Sequence, residues 1–407
     1  MDGEFSSAVF SPGNSANSVR TTRTEWDSFE VLSLTGLNAS HGIHAGYDDI
    51  ENLTVMLGDG ADQVRIHDSL GQAGSQVTVL AGGGNDDITL SNTATPINPL
   101  SSHEFSVDDF AGHVSIDGGA GANLLLIDDH GDPGDDPNGD TITQEFSGEF
   151  VKLTGMGANE FASIFYRASN GGDFSRGLEI ITSSGSDKVS LNAIYGGDHT
   201  ILRTGAGNDD VIVGNFIIDP AALLTIYSGA NDDLVDALAS PVWVTVYGAG
   251  GSDAIYGSEF DDFLYEGDGN NLIIGNLGED FITAESGNDI VIGDHGYVHD
   301  ADGDRLTPRN WPQIAEVAST SGSGPGADII SVGDGDNVVI GGAGADSITA
   351  GIGTNTILGD DGRVTFDADG NFVLAESINP LVGDKDTFTL GKGTKASGRK
   401  EITRKLG

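Results

Sequence analysis

Short apolar segments alternate with glycine-rich polar turns along most of this chain, and between 248 and 296 the alternation has a period of nine residues. One Asp or Asn marks each period: Asp253, Asp262, Asn271, Asp280 and Asp289. A large aliphatic residue follows each of them two positions later: Ile255, Leu264, Ile273, Ile282 and Val291. A period of nine is not helical, so the pattern predicts one tight turn and one short strand per unit.

The same pattern resumes between 322 and 362. The polar position is held by Asp328, Asn337, Asp346 and Asn355, and the apolar position by Ile330, Val339, Ile348 and Ile357. Two units make one coil of two strands and two turns. Strands this short bury their side chains only by stacking on the coils above and below, so the pattern predicts a parallel β-solenoid.

Upstream, an Asp-bearing glycine turn recurs at longer intervals. Its members before Asp253 are Asp62, Asp86, Asp187, Asp209 and Asp232, and from Asp187 to Asp253 the steps are 22, 23 and 21 residues. This spacing predicts longer coils that grade into the regular ones. Separate β-sandwich domains are the alternative, but they would not place such a turn once in every two strands.

The nine-residue units resemble the repeats-in-toxin (RTX) family, also called hemolysin-type calcium-binding β-roll proteins, closely over about 248–296 and 322–362. The resemblance implies an all-β, right-handed parallel β-solenoid with Ca²⁺ bound between turns on one edge of successive coils. Ca²⁺ takes about six to eight oxygen ligands, which carboxylates and turn carbonyls provide. The implied ligands are Asp62, Asp86, Asp187, Asp209, Asp232, Asp253, Asp262, Asn271, Asp280, Asp289, Asp328, Asn337, Asp346 and Asn355.

The proposed sites differ in strength because some carry Asn instead of Asp. Asn offers a neutral oxygen where Asp offers a carboxylate, so we expect Asn-bearing sites to bind calcium more weakly. The pairs Asp262/Asp280 and Asp328/Asp346 are therefore expected to bind most tightly. The pair Asn337/Asn355 is expected to bind most weakly.

The repeat boundaries suggest seven segments. They are a lead-in with the first strands (1–49), longer coils with loop insertions (50–247), a first calcium block (248–297), a hairpin insertion (298–321), a second calcium block (322–362), a second hairpin insertion (363–382) and a degenerate basic coil or tail (383–407). An Asp-Gly turn predicts each hairpin. The first would pair Tyr297 and Val298 with Leu306, and the second would pair 364–366 with 372–374. In the last coil Lys395 takes the polar position.

The amino-acid composition limits the classes of function that this chain could have. The chain has 63 Asp and Glu against 18 Lys and Arg, a net charge of −45, which excludes a generic nucleic-acid binder. The acids lie in phased turns, which favours metal ligation over a merely solvated or halophilic surface. Charge of this size opposes the compact state unless counter-ions neutralise it. There is no cysteine, so no disulfide supports the fold.

Catalytic motifs are not apparent. The sequence has no G-x-S-x-G, H-E-x-x-H or GxxxxGK[ST] motif, so we expect the protein not to be an enzyme. The function predicted is a calcium-binding extracellular structural solenoid: a spacer, stalk, adhesin segment, or filament or lattice subunit. The alternative is a β-helical polysaccharide lyase, epimerase or glycosidase that carries calcium repeats. Its basic groove would have to come from Arg167, Arg176 and Arg203.

Location and partners follow from the same features. No apolar run reaches the roughly 18 residues of a membrane span, and no signal peptide is visible at the amino end. Calcium in place of disulfides fits a secreted or cell-surface protein. A basic carboxyl end against an acidic body favours end-to-end self-association, with other surface proteins or glycans as alternative partners. Its basic residues are Lys392, Lys395, Arg399, Lys400, Arg404 and Lys405.

Overall fold

The structure is a computed structural model that describes residues 7–10, 18–26, 29–35, 43–46, 52–66, 76–91, 112–130, 139–156, 162–194, 197–215, 222–300, 314–320, 326–378, 384–393 and 395–397. Within these ranges there is no helix, and so none that is long and apolar enough to cross a membrane. The chain divides into two compact units, Met1–Gly205 with Phe216–Leu223 and Ala206–Asn215 with Leu224–Gly407. The division falls inside the segment predicted to hold the longer coils.

The first unit contains two sheets that are mostly parallel. Its strands are β1 (Ser7–Phe10), β2 (Ser18–Trp26), β3 (Phe29–Thr35), β4 (Ile43–Gly46), β5 (Asn52–Met56), β6 (Gln63–Ile66), β7 (Gln76–Leu80), β8 (Asp87–Ser91), β9 (His113–Asp117), β10 (Leu124–Asp128), β11 (Thr141–Ser147), β12 (Phe150–Thr154), β13 (Ser163–Arg167), β14 (Leu178–Ile181), β15 (Lys188–Asn192) and β16 (His199–Arg203). One sheet has the order β1-β5-β7-β9-β13-β12-β11-β15, and the other β16-β14-β10-β8-β6-β2-β3-β4. Antiparallel pairs occur within β11–β13 and within β2–β4.

The second unit has two parallel sheets and one small antiparallel sheet. Its strands are β17 (Asp210–Val213), β18 (Leu223–Tyr227), β19 (Leu234–Asp236), β20 (Val244–Tyr247), β21 (Ala254–Tyr256), β22 (Phe263–Tyr265), β23 (Leu272–Ile274), β24 (Phe281–Ala284), β25 (Ile290–Ile292), β26 (Gly296–Asp300), β27 (Ile314–Ser319), β28 (Ile329–Val332), β29 (Val338–Ile340), β30 (Ser347–Ala350), β31 (Thr356–Leu358), β32 (Gly362–Phe366), β33 (Phe372–Ser377), β34 (Thr387–Leu390) and β35 (Lys395–Ser397). Sheet A is β17-β19-β21-β23-β25-β29-β31-β35, and sheet B is β34-β30-β28-β24-β22-β20-β18. Sheet C is β26-β27-β32-β33.

The coil length shortens along the chain as predicted. In the first unit Asp62 bonds to Asp86, 24 residues on. In the second unit the step from Asp209 to Asp233 is again 24 residues, and the step from Asp233 to Asp253 is 20. From Asp253 onward the step is 18 residues. The prediction of an all-β parallel solenoid is confirmed.

The apolar position of each repeat points into the core between sheets A and B. From sheet A come Ile255, Ile273, Val291, Val339 and Ile357, and from sheet B come Leu264, Ile282, Ile330 and Ile348, all exposed by 1% or less. Neighbouring strands are in register, so Ile282 lies beside Ile330 and Ile330 beside Ile348. Each side chain therefore packs on its equivalents one coil away, which is the burial that a single short strand lacks.

The two insertions meet in sheet C, which covers the outer face of sheet A. Strand β27 from the first insertion pairs antiparallel with β32 from the second. Val298, Val317 and Val364 of sheet C form one buried cluster with residues of sheet A. All three residues of β21, β23, β25 and β29 are buried in consequence, whereas the outer strand β33 is exposed.

Two details of the insertions and the last coil differ from the sequence prediction. The first hairpin pairs β26 with β27, so Val298 lies opposite Val317 instead of Leu306, which falls outside the described residues. The second hairpin pairs Phe366 with Phe372, as predicted. In the last coil Lys395 lies opposite Thr356, one residue beyond the predicted polar position, because the polar residue directly precedes its strand.

Strand β28 offers a matched pair of isoleucines for testing the packing. Ile330 is 1% exposed and Ile329 is 51% exposed. We expect Ile330→Ala to lower the free energy of unfolding by about 2–5 kcal/mol, because it opens a cavity between two stacked coils. Ile329→Ala should change it by no more than about 0.5 kcal/mol. Urea unfolding in saturating calcium measures both, and equal effects would contradict the predicted direction of these side chains.

Candidate calcium-binding turns

A row of aspartates runs down the turns that lead into sheet B. Asp262, Asp280, Asp328, Asp346 and Asp386 each directly precede a strand of that sheet, and we call them the first row. The backbone N–H of Asp262 donates to Oδ1 of Asp280 at 2.8 Å. Asp280 donates to Asp328 at 2.9 Å, although 48 residues separate them, and Asp328 donates to Asp346 at 2.9 Å. The row thus passes the insertion without a break.

A second row precedes the strands of sheet A. It contains Asp209, Asp233, Asp253, Asn271, Asp289, Asn337 and Asn355. The same bond joins its members: the N–H of Asp253 donates to Oδ1 of Asn271 at 3.0 Å, and that of Asn271 donates to Oδ1 of Asp289 at 3.0 Å. Alternate repeats therefore lie on opposite edges, as the 18-residue spacing predicted.

Most of the first row keeps one carboxylate oxygen for another partner. Oδ1 accepts the N–H of the preceding coil, and Oδ2 of Asp280, Asp328, Asp346 and Asp386 has no hydrogen-bond partner among the described residues. These side chains are 1% exposed or less. A buried ionised oxygen without a partner is costly, so this position demands a cation or a proton.

Glycine keeps the space beside each of these oxygens open. A Cβ on Gly275 would overlap both Oδ2 of Asp280 and the carbonyl oxygen of Gly293. The same holds for Gly341, between Asp346 and the carbonyl of Gly359. A free carboxylate oxygen of one turn and a carbonyl oxygen of the next turn therefore line the same small space beside a glycine. We call this space a glycine cradle.

This donor set fits Ca²⁺. Within the described residues no three acidic or histidine side chains converge on one point, so carbonyl oxygens must complete any metal site. Calcium accepts mixed carboxylate and carbonyl ligands in flexible numbers, whereas softer metals favour nitrogen or sulfur. Asp262 fits less well than predicted, because its Oδ2 accepts the N–H of Ser258 at 2.5 Å. The predicted ranking of sites is untested, and the geometry favours Asp280, Asp328 and Asp346 over Asp262.

Burial raises the pKa of these carboxyls when no cation is beside them. It raises the pKa of Asp280 to about 9 and that of Asp346 to about 8, against the opposing effect of the N–H bond that each accepts. Burial likewise raises the pKa of Asp328 to about 7. Neighbouring carboxylates add to the rise, Asp328 for both Asp280 and Asp346. Protons and a cation therefore compete for the same oxygens.

The asparagines use both ends of their side-chain amides in hydrogen bonds, and their role as weaker calcium ligands stays a prediction. Oδ1 of Asn271 and Oδ1 of Asn337 already accept backbone N–H groups. Their amide nitrogens donate to the carbonyls of Gly267 and Gly333, at 3.2 Å in both cases. Asn355 donates to Gly351 in the same way at 3.0 Å. At Asn271, Asn337 and Asn355 the amide nitrogen thus donates to a carbonyl of its own turn, which a carboxylate at this position could not do.

The predicted residues of the first unit form a shorter row. The N–H of Asp62 donates to Asp86 at 2.8 Å, and that of Asp86 donates to Asn123 at 3.0 Å. Asp86 keeps an unpaired Oδ2, and burial raises its pKa to about 6. Asp187 lies in another turn, where it accepts the N–H of Asp140 at 2.8 Å and the hydroxyl of Thr182. The Thr182 hydroxyl therefore satisfies the second carboxylate oxygen of Asp187, the oxygen that is left without a partner in most of the first row.

Asp233, and not Asp232, occupies the row position equivalent to Asp209 and Asp253. Asp233 is 1% exposed and accepts the N–H of Asp209 at 2.8 Å. Asp232 lies one residue earlier, in an outer position where it accepts the N–H of Ser252 at 2.8 Å. Two adjacent aspartates made the register ambiguous in the sequence.

Sequence reasoning also missed two row residues. Asp386 continues the first row by accepting the N–H of Asp346 at 3.2 Å, and the Gly-Asp-x-Asp pattern at 383–386 was its signal. Asp198 in the first unit is 2% exposed and accepts the N–H of Phe174 at 2.7 Å. No nine-residue period surrounds Asp198, so only its place in the fold reveals it.

Comparison with protein families agrees with this geometry. Four copies of the RTX calcium-binding nonapeptide repeat match, at residues 244–265, 266–297, 323–357 and 331–366. The chain therefore carries RTX calcium-binding repeats, and this part of it is a calcium-binding β-roll. Comparison with curated proteins gives no match.

The glycine cradles give a direct test of metal binding. We expect Gly275→Ala to raise the calcium concentration at the folding midpoint about tenfold, equivalent to about 1.4 kcal/mol, because its Cβ overlaps Asp280 and the carbonyl of Gly293. Gly250→Ala is the matched control, since a Cβ there meets nothing within 4 Å. Calcium titration followed by circular dichroism measures both, and equal midpoints would exclude Gly275 from a metal site.

The raised pKa values predict how pH acts on the chelated protein. An Asp carboxyl has a pKa near 3.9 when unfolded, so a raised pKa means that the folded chain binds more protons in between. Its contribution to stability is full below the unfolded pKa and is lost as pH rises through the folded pKa. With the pKa of Asp328 about 7 and that of Asp280 about 9, strand content in chelator should fall as pH rises over this range. In saturating calcium it should stay constant, and loss on acidification alone would contradict the assignment.

Proposed function

We propose that this protein is a secreted, calcium-folded structural solenoid that serves as a spacer, stalk, adhesin segment or filament subunit. The observation that carries the proposal is the first row, with buried Oδ2 atoms that have no partner on Asp280, Asp328, Asp346 and Asp386. Such a row is stable as an anion only with cations between its members. Calcium at extracellular concentration is the cation that the RTX repeats select.

Rigidity would be the product of calcium binding. The metal site does not exist in the unfolded chain, so the free energy of binding becomes free energy of folding. Without calcium the self-repulsion of a chain of charge −45 opposes the compact state. A protein that is extended or disordered before export and rigid after it suits a structural role outside the cell.

The arginines support a non-enzymatic role. Arg167 pairs with Asp117 at 2.9 Å, Arg176 with Asp87 at 2.7 Å and Arg203 with Glu179 at 2.6 Å. Each charge is already balanced by a carboxylate, so these residues do not make the basic groove that an acidic polysaccharide requires. New reducing ends or unsaturated products from a panel of polysaccharides would contradict this part of the proposal.

Self-association end to end is the partner arrangement that we propose. The last described coil adds β34 to β30 and β35 to β31 through parallel pairs, so the roll continues into the basic segment. Residues 398–407, which carry most of the basic charge, lie outside the described residues. Sedimentation in calcium should show association that weakens when 391–407 is deleted, and a monomer at every concentration would contradict it.

Calcium-dependent folding of the whole chain is the central test. We expect circular dichroism to show high strand content in millimolar calcium and a large loss in chelator, reversed when calcium returns. The matched control is magnesium at equal concentration, which demands a near-octahedral site and gives up its water reluctantly. Equal strand content in calcium and in chelator would overturn the proposal.

A further inference from the structure

Glu266 occupies an inward-facing position at which the other described coils of the second unit carry a small or apolar residue. The residue five positions before each second-row member faces inward, and from Asp233 to Asn355 these are Ser228, Gly248, Glu266, Ala284, Val332 and Ala350. Glu266 is 3% exposed, and among the described residues its carboxyl has no hydrogen-bond partner other than the carboxyl of Asp253. The nine-residue pattern alone gives no reason for a carboxylate at this position.

The Glu266 side chain reaches back toward the preceding coil. A Cβ on Gly248 would overlap both carboxylate oxygens, so the glycine at 248 makes the room that Glu266 occupies. The second-row residue of that coil is Asp253, which is 1% exposed. Oδ1 of Asp253 accepts the N–H of Asp233 at 2.9 Å, and its carboxyl has no other partner among the described residues than the carboxyl of Glu266.

Asp253 and Glu266 act on each other in this interior. Burial first, and then the charge of Asp253, raise the pKa of Glu266 well above its usual value. The described ion pairs include no cationic side chain for either residue. The two carboxyls also lie within hydrogen-bonding reach of each other. If both are ionised in this buried place, they require a positive charge between them.

The second-row residue of the next coil explains why a carboxylate appears at 266. That residue is Asn271. Its amide oxygen accepts the N–H of Asp253 at 3.0 Å, and its amide nitrogen donates to the carbonyl of Gly267 at 3.2 Å. A site between these two coils therefore lacks the second row carboxylate. Glu266 lies five residues before Asn271 and restores the negative charge from the interior.

We propose that Asp253 and Glu266 together bind a calcium ion, with Glu266 supplying the carboxylate that Asn271 does not. Turn carbonyl oxygens complete the ligand set, as calcium allows. The site is thus a variant of the repeat. In this coil the carboxylate is at the inward-facing position 266 and not at the row position 271, so the coil keeps the same negative charge. The inference rests on the proposed calcium-dependent function and assigns it a residue outside the repeat pattern.

The test compares the wild type with Glu266→Gln, and with Glu285→Gln as matched control. Glu285 lies in the next turn of the same edge and is exposed, so it loses the same charge without entering the interior. Equilibrium dialysis at saturating calcium should show one ion fewer per chain for Glu266→Gln and no loss for Glu285→Gln. Terbium luminescence excited through tyrosine should fall in parallel, because Tyr247 and Tyr265 directly precede Gly248 and Glu266.

A double variant keeps the test decisive if Glu266→Gln does not fold. Glu266→Ala with Asn271→Asp returns the carboxylate to the row, and we expect it to regain the lost ion relative to Glu266→Ala alone. An unchanged ion count in Glu266→Gln, or no gain in the double variant, would overturn the proposal and leave a shared proton as the counter-charge. Failure of the proposed function looks different, since the wild type itself would then bind no calcium.

Discussion

A parallel roll places equivalent residues of successive coils one strand spacing apart, about 4.8 Å, and this chain puts buried carboxylates at that position. Like charges so close, and removed from water, repel strongly. The backbone N–H from the preceding coil satisfies only one oxygen of each Asp, as between Asp280 and Asp328. Something else must balance the other oxygen, and the rest of the roll is arranged around that requirement.

The chain meets this requirement in several ways. In the first row glycine cradles leave space for a cation beside Asp280 and Asp346. In the second row the amides of Asn271 and Asn337 donate to turn carbonyls directly. In the first unit Thr182 donates its hydroxyl to Asp187. The first row consists of aspartates only, whereas the second row mixes aspartates with Asn271, Asn337 and Asn355.

The sequence predicted the repeating core because its period is set by local chemistry. Glycine turns and one inward aliphatic residue per unit identify Ile282, Ile330 and Ile348 without knowledge of the fold. What depends on pairing between distant strands was not predictable in this way. The meeting of β27 with β32 needs both insertions to fold toward the same face of sheet A, and nothing in either hairpin sequence specifies that.

The candidate site shows the same limit at single residues. The register at Asp232 and Asp233 was ambiguous, because two adjacent acids differ only in which one a neighbouring N–H reaches. The role of the Asn amides depends on the direction in which each nitrogen points. Glu266 was invisible because a repeat pattern describes what recurs, and its carboxylate occurs in one coil only.

Sheet C gives the roll a mechanical property that the repeats alone would not have. A solenoid pulled from its end loses one coil at a time, since each coil holds only to its neighbours. Here β26 and β27 emerge next to β25, while β32 and β33 emerge next to β31, and the bond between β27 and β32 ties these coils together. Separating the coil of β31 from the coil of β25 therefore also requires breaking the antiparallel pair of β27 with β32. The insertions therefore act as a crosslink between coils, so that several coils resist tension as one unit.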